Sequence, residues 1–234
     1  VTIRDDGELP GGMMRYGIPS YRLPRGILDG EINRIADMGV TFEMNTKVTD
    51  LEAALCEFDA VFLAVGAQIG RHVNIPAGSA SHVLDAVEML RDVEEASEGE
   101  GTQPLLGRRV VVYGGGNTAI DAARTAKRLG ATDSVILYRR TRDRMPANDS
   151  EVTEAEEEGI KMRWLSTIKH IDESELMIEK MELDENGFPQ PTGEYEKLEA
   201  DSVVMALGQQ SDLGLLDGVH DVVVKDGFVE VDRQ

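Results

Sequence analysis

The sequence predicts an α/β protein built on a doubly wound parallel sheet, and three observations carry that reading. Short apolar, β-branched runs alternate with stretches of helical periodicity, the pattern of strands joined by crossover helices. Two of those runs, 59–65 and 201–207, open on an acid and end at a glycine (Gly66 and Gly208), which suits strands covered on both faces. Residues 109–138 read as strand, glycine turn, helix and strand, a βαβ unit whose crossover is parallel and right-handed almost by default.

The elements follow in order. Residues 1–5 read as a strand ending in an acid, followed by a loop with Gly7, Pro10, Gly11 and Gly12. Pro24 opens a helix with Leu28, Ile32, Ile35 and Ala36 on one face, and Gly39 stops it. Residues 40–44 alternate as a short strand. Residues 82–92 are expected as a helix through Val83, Val87 and Leu90, and 94–103 as a polar linker. A fresh unit starts at Pro104. It has a strand over 109–113, the turn Gly114-Gly115-Gly116, a helix over 117–129 ended by Gly130, and a strand over 134–138. Residues 151–158 read as an acidic helix. Residues 162–165 and 176–183, with an Asn186-Gly187 turn, suggest an added antiparallel piece. After the strand at 201–207, a last hairpin pairs 222–224 with 228–231 across Asp226-Gly227.

Composition narrows the function. The 234 residues carry 44 Asp and Glu against 24 Lys and Arg, a formal net charge of -20. A non-specific nucleic-acid binder needs spare cations, so that class is excluded. No apolar run approaches the roughly 18 residues that span a bilayer, and no signal peptide opens the chain. The expected setting is therefore cytoplasmic, away from membranes. The single cysteine, Cys56, rules out an internal disulfide, a Cys-x-x-Cys redox pair and a cysteine-held iron–sulfur cluster within this sequence. Its expected role is that of a half-buried core thiol. His72, His82, His170 and His220 are scattered, with no metal-ligand spacing. Any electrons this chain moves must ride on a bound organic cofactor.

The string Gly114-Gly115-Gly116-Asn117-Thr118-Ala119 has the form G-x-G-x-x-A, directly after a strand and opening a helix. That context is what a dinucleotide phosphate loop requires. Gly114 permits the tight turn, Gly116 lets a pyrophosphate approach the backbone, and the helix-start amides of Asn117 and Thr118 face the phosphates. Ala119, Ala122, Ala123 and Ala126 let the helix lie close to the sheet. The second strand of the unit ends Tyr138-Arg139-Arg140-Thr141-Arg142-Asp143-Arg144. An acid at such a strand end selects NAD, whereas four arginines in six residues fit a 2′-phosphate. The reading is NADP(H), with Arg139, Arg140 and Arg144 as contacts. The competing reading is a solvated basic turn balanced by Glu151, Glu154 and Glu156.

With these residues assembled, the chain resembles the NADPH-dependent glutamate synthase β-subunit family, which groups with dihydropyrimidine dehydrogenase's flavin arm and the adrenodoxin-reductase-like flavoproteins. The strings that carry the likeness are residues 11–19 (Gly-Gly-Met-Met-Arg-Tyr-Gly-Ile-Pro), 59–66, 114–126, Tyr138-Arg139-Arg140 with Met145-Pro146, and 204–208. The resemblance implies an NADP-binding domain, 104–208, inserted into an FAD-binding domain formed by 1–103 and a return segment, 209–234. On that pattern Asp5 binds the FAD ribose, Gly11 and Gly12 line the flavin, and Val48 gives a backbone contact near the adenine. Ala206 and Gly208, like Gly66, mark the strand-to-glycine crossings between domains. An FAD pyrophosphate loop precedes such an acid by about twenty residues, but only four residues precede Asp5. The family's segment after the final hairpin and its cysteine-rich iron–sulfur region are not in this sequence either. The expectation is a fragment carrying a partial FAD-binding domain.

The implied activity is hydride transfer from NADPH to a flavin, with electrons passing on to a partner chain or domain that bears a metal centre of iron–sulfur type. That transfer needs no catalytic acid or base, in keeping with a sequence that shows no triad. One alternative is a non-catalytic NADP-binding or interaction module without flavin. A plain NADP dehydrogenase is disfavoured because no Tyr-x-x-x-Lys pair occurs.

Overall fold

The structure, a computed structural model, describes residues 1–71, 75, 82–97, 99, 101–220 and 222–231, with only the backbone of His82. His72 lies outside the described residues. In chain order the first elements are β1 (Thr2–Arg4), α1 (Met13–Tyr16), α2 (Arg25–Asp37), β2 (Thr41–Glu43), α3 (Leu51–Glu57), β3 (Ile69–Gly70), β4 (His82–Asp85) and α4 (Ala86–Ser97). Then come β5 (Arg109–Gly114), α5 (Asn117–Arg128), β6 (Asp133–Leu137), α6 (Asp149–Glu157), β7 (Lys161–Arg163), β8 (Ser166–Ile171), β9 (Glu175–Leu183) and β10 (Pro189–Glu199). The chain closes with β11 (Ser202–Ala206), β12 (Gln209–Gln210), β13 (Val224–Lys225) and β14 (Phe228–Val229). It divides into two compact units, one of residues 1–16, 20–69 and 209–234, the other of 17–19 and 70–208.

The larger unit holds a five-stranded sheet in the order β4-β11-β5-β6-β7. Every pairing in it is parallel. The strand residues alternate between two cores, as the period-two geometry of a strand demands. Val110, Val112, Ile136 and Val204 face α4, α5 and α6, packing on Met89, Leu90, Ile120, Val152 and Ala155. Val111, Tyr113, Val135, Leu137 and Val203 face the other way. There they meet Ile168 and Ile171 of β8 and Leu176 and Ile178 of β9. Both faces are thus covered, one by helices and one by the antiparallel sheet β10-β9-β8. Ala119, Ala122, Ala123 and Ala126 are fully buried, so α5 lies close against the strands. The buried Ser134 hydroxyl ties it there by donating to the Ala123 carbonyl at 2.9 Å.

Several expectations need correction. Residues 82–85 form a parallel strand beside β11, and the helix begins only at Ala86. A run of four apolar and polar residues reads as either element until a partner strand is known. The helix then continues to Ser97 with Glu94 buried, which shortens the expected linker. The described residues between Gly70 and Gln103 fall in the larger unit. Residues 162–165 do not join the antiparallel piece: β7 extends the parallel sheet beside β6. Residues 60–65 are not a strand. Among the described residues no ladder partner lies beside them, and Phe62 is 91% exposed. Finally Cys56 is exposed. On α3 the buried position is Ala54, and two residues further on the helix has turned roughly 200° away.

In the smaller unit, β1 and β2 pair in parallel. Arg4 binds them to α3: it pairs with Glu43 and Glu57 at 2.7 Å each and lies 4.9 Å above the Phe58 ring. The closing hairpin β13–β14 forms as expected, with Asp226 and Gly227 both at positive φ (53° and 80°).

Asp201 staples β11 to β5 in register. Its Oδ2 accepts from the backbone amides of Arg108 and Arg109 at 2.8 and 2.9 Å, while Oδ1 accepts from the Arg109 guanidinium. The Arg109 guanidinium first, then these amides, hold the Asp201 carboxyl down at about 2. The folded state therefore favours the deprotonated form more than the unfolded chain does. The resulting stabilisation is complete above the ordinary carboxylate value of 3.8 and is lost as pH falls toward 2. Asp201→Asn should lower the urea midpoint at pH 6, and its deficit against the parent should shrink by pH 3. A deficit of the same size at both pH values would show that the carboxylate charge is not what holds the staple.

Candidate functional site

The strand order reverses direction at β5. The chain leaves it through α5 to β6 on one side, while β11 lies on the other. In open parallel sheets the crevice outside the carboxyl ends at such a point is where ligands bind. Gly114 ends β5 there, opposite Ala206 at the end of β11. The two backbones approach so closely that a methyl on Gly114 would stand 2.1 Å from the Ala206 carbonyl oxygen. Gly115 is covered by the ring of Tyr138, whose carbons would lie 2.4 Å from an added methyl. Gly116 differs from both: nothing lies within 4 Å of where its side chain would be. It caps α5 with extended backbone and no side-chain hydrogen bond. The first-turn amides of Asn117 and Thr118, which have no partner within a helix, are left facing that opening at the positive end of the helix dipole.

The arginine turn lies beside this opening because the chain ties it there. The Tyr138 hydroxyl donates to the Arg144 carbonyl at 2.8 Å while its ring covers Gly115. The Ala147 amide donates to the Gly115 carbonyl at 3.0 Å, and the Asn148 amide to Asn117 Oδ1 at 3.1 Å. Residues 138–148 therefore wrap the glycine turn and the start of α5. The four arginines part company in their charge balance. Arg142, in a 3-10 turn (Arg142–Arg144), pairs with Glu156 at 2.7 Å, so the solvated-turn reading holds for it. Arg139 is exposed, with no acidic partner among the described residues. Arg140 keeps its Nε buried without a hydrogen-bond partner there. Arg144 has only Asp143, at 3.7 Å. Among the described residues two guanidinium charges, those of Arg139 and Arg140, thus have no acidic partner, and Arg144 holds only a long pair, beside an open helix N-terminus. That set of donors suits a dinucleotide bearing an extra phosphate.

The smaller unit gathers most of the residues implied for a flavin. Asp5 follows β1, with its Oδ1 accepting from the Gly7 amide at 2.8 Å, which leaves Oδ2 available. The Asp5 carbonyl accepts from Thr46, which sets the loop bearing Val48 beside it, at the carboxyl ends of the parallel pair. The Gly11 and Gly12 carbonyls accept from Met14 and Arg15 to start α1, and the space over Gly12 is open. Gly66 is exposed and equally open. In the larger unit the Gly208 carbonyl accepts from the Arg71 amide at 2.9 Å. No helix among the described residues is long and apolar enough to cross a membrane, and none of their side chains cluster as metal ligands.

Sequence reasoning missed Tyr138, Ala147 and Asn148 as the parts that join the glycine turn to the arginine turn. A tyrosine directly before the arginine pair was the only available signal for any of them.

Known proteins match the chain in family and in fold. The family model for pyridine nucleotide-disulphide oxidoreductases matches residues 26–234. The chain is 37% identical to the NADP(+)-dependent formate dehydrogenase subunit beta of Moorella thermoacetica, over 99% of this chain and 34% of that one. It is 35% identical to a putative glutamate synthase [NADPH] small chain of Cereibacter sphaeroides, over 96% of this chain and 59% of that one. The chain thus spans between a third and three-fifths of the length of these relatives. Its fold matches that of Mycobacterium tuberculosis FprA in complex with NADPH, with a TM-score of 0.75 at 20% identity, over 89% of this chain and 64% of that one.

The two outer glycines of the turn predict separable effects. Gly114→Ala should cost about 1–3 kcal/mol or more of stability, the scale of overpacking, because two backbones must part. Gly116→Ala should stay within about 1 kcal/mol of the parent, the scale of a changed helix cap. Urea denaturation of the two variants checks this, and equal losses would remove the distinction.

Proposed function

The chain belongs to the pyridine nucleotide-disulphide oxidoreductase family, and we propose that it is the NADP(H)-holding part of a flavoprotein that moves electrons from NADPH through FAD to a partner. The observation that carries this reading is the cluster Arg139, Arg140 and Arg144 beside the open Gly116 turn, in which only Arg144 has an acidic partner, the long pair with Asp143, in a chain of net charge -20. Arg139, Arg140 and Arg144 would grip the 2′-phosphate as planar forks that cannot lose their charge. Gly114 would set the tight turn, and Gly116, Asn117 and Thr118 would offer backbone amides to the pyrophosphate. Asn117 has a second duty, since its side chain fastens the strap at Asn148. Asp5, Gly11, Gly12 and Val48 are the residues of the smaller unit that would hold FAD, while Gly66 in that unit and Ala206 and Gly208 in the larger one would mark the strand-to-glycine crossings. The open space over Gly12 and Gly66 and the available Asp5 Oδ2 are compatible with that group.

When bound, the two cofactors supply the hydride donor and the hydride acceptor themselves. The protein's share is orientation and exclusion of water, and none of its side chains has to transfer a proton. An electron-accepting subunit or domain of iron–sulfur type belongs to the same proposal, as does a cytoplasmic setting. Support for the partner comes from the names of the relatives, one a subunit beta and the other a small chain.

Titration calorimetry with NADPH and NADH tests the clamp. Arg139→Ala should weaken NADPH by about 1–3 kcal/mol, the scale of a hydrogen bond to a charged group, and leave NADH nearly unchanged. Equal losses for both coenzymes would overturn the assignment. The flavin is tested separately by the visible absorbance of purified protein. Protein that binds NADPH but shows no flavin band, even after incubation with FAD, would leave the non-catalytic alternative standing.

A further inference from the structure

The β9–β10 turn lies far from the arginine turn in sequence but close to it in space. The Phe188 ring centroid sits 6.0 Å from the Arg140 guanidinium carbon. Gly187 comes so near Arg144 that a methyl on it would stand 3.3 Å from a guanidinium nitrogen. Gly187 also has φ 77°, which a side chain would strain. The same turn thus touches two of the three clamp arginines and leaves the ion-paired Arg142 alone.

The turn is itself firmly held. Asp184 Oδ1 accepts from the amides of Asn186 and Phe188 at 2.9 and 2.8 Å, and Oδ2 accepts from Gln190 Nε2 at 3.2 Å. The Asp184 and Phe188 backbones close the loop with a further bond of 2.9 Å. This rigid turn presents a phenylalanine that is 57% exposed. Exposed aromatic surface held by such bonding asks for a use, and the guanidinium beside it supplies one. A long arginine loses rotamer freedom when it grips a phosphate, and a ring that already restrains it reduces that loss.

We propose that the β9–β10 turn is a specificity-determining brace for the 2′-phosphate clamp, in which Phe188 positions Arg140 and Gly187 makes room for Arg144. The proposal rests on the NADP(H) reading above. Phe188 is a positioning residue: it acts through Arg140 and takes no part in hydride transfer. Its removal should therefore change the discrimination between NADPH and NADH rather than nucleotide binding in general.

The test measures both coenzymes by calorimetry on the parent chain and on Phe188→Leu, Phe188→Trp and Arg140→Ala. Phe188→Leu keeps an apolar side chain and removes the ring. It should weaken NADPH about two- to fivefold, the range of an exposed cation–π contact, with NADH unchanged, and Phe188→Trp should restore binding. If Arg140→Ala weakens NADPH while Phe188→Leu does not, the brace is overturned and the clamp stands. Equal loss of both coenzymes in Phe188→Leu would likewise overturn the brace, because a general structural defect does not discriminate. If Arg140→Ala leaves NADPH binding untouched, the clamp reading itself falls, and the brace falls with it.

Discussion

The larger unit depends on one close approach between backbones. Where β5 and β11 end, the chain allows no side chain between Gly114 and the Ala206 carbonyl. That contact sets the spacing of the two strands whose ends form the crevice. It also aims the next residues: with Gly114 pinned and Gly115 roofed by Tyr138, the turn delivers Gly116 into open space at the head of α5. Three consecutive glycines therefore do three different jobs. Two are glycine because the protein itself occupies the space, and only the third leaves room for something else.

Charge is arranged with the same economy. The surface is strongly acidic, and most of its cations are matched locally. Arg124 and Arg128 share Glu158 between α5 and α6, Lys161 meets Asp133, and Arg109 meets Asp201. Against that background, Arg139 and Arg140 without an acidic partner and Arg144 with only a long one gather near one helix N-terminus. In an anionic protein such a cluster is a local region of positive charge.

Much of this was legible in the sequence, and the limits were physical. The βαβ unit could be read because strand, glycine turn and helix adjoin, so local pattern and tertiary role coincide. Arg139, Arg140 and Arg144 could be singled out by position, but only the structure separated them from Arg142, since Glu156 lies a helix away. The strand at 82–85 was misread because its only described ladder partner, β11, is about 120 residues distant, and four residues carry no period of their own. Residues 60–65 show the reverse failure. An apolar run announces a need for cover, but a strand also requires a neighbour for its amides and carbonyls. The turn at Asn186-Gly187 was placed correctly, while its contact with the arginines left no trace in the pattern because proximity in space has no signature in one chain.

The position of β11 bears on how the molecule assembles. It is the last of the five parallel strands to be synthesised, yet it lies between β4 and β5 and contributes Val203 to one core and Val204 to the other. Until it arrives, β4 and β5 present bare inner edges to each other across a gap one strand wide. The local βαβ segment can form early, but closing the sheet must wait for a non-local insertion, the kind of step that is slow and prone to mispairing. The strand that lines the crevice opposite Gly114 is thus also the one that closes the sheet.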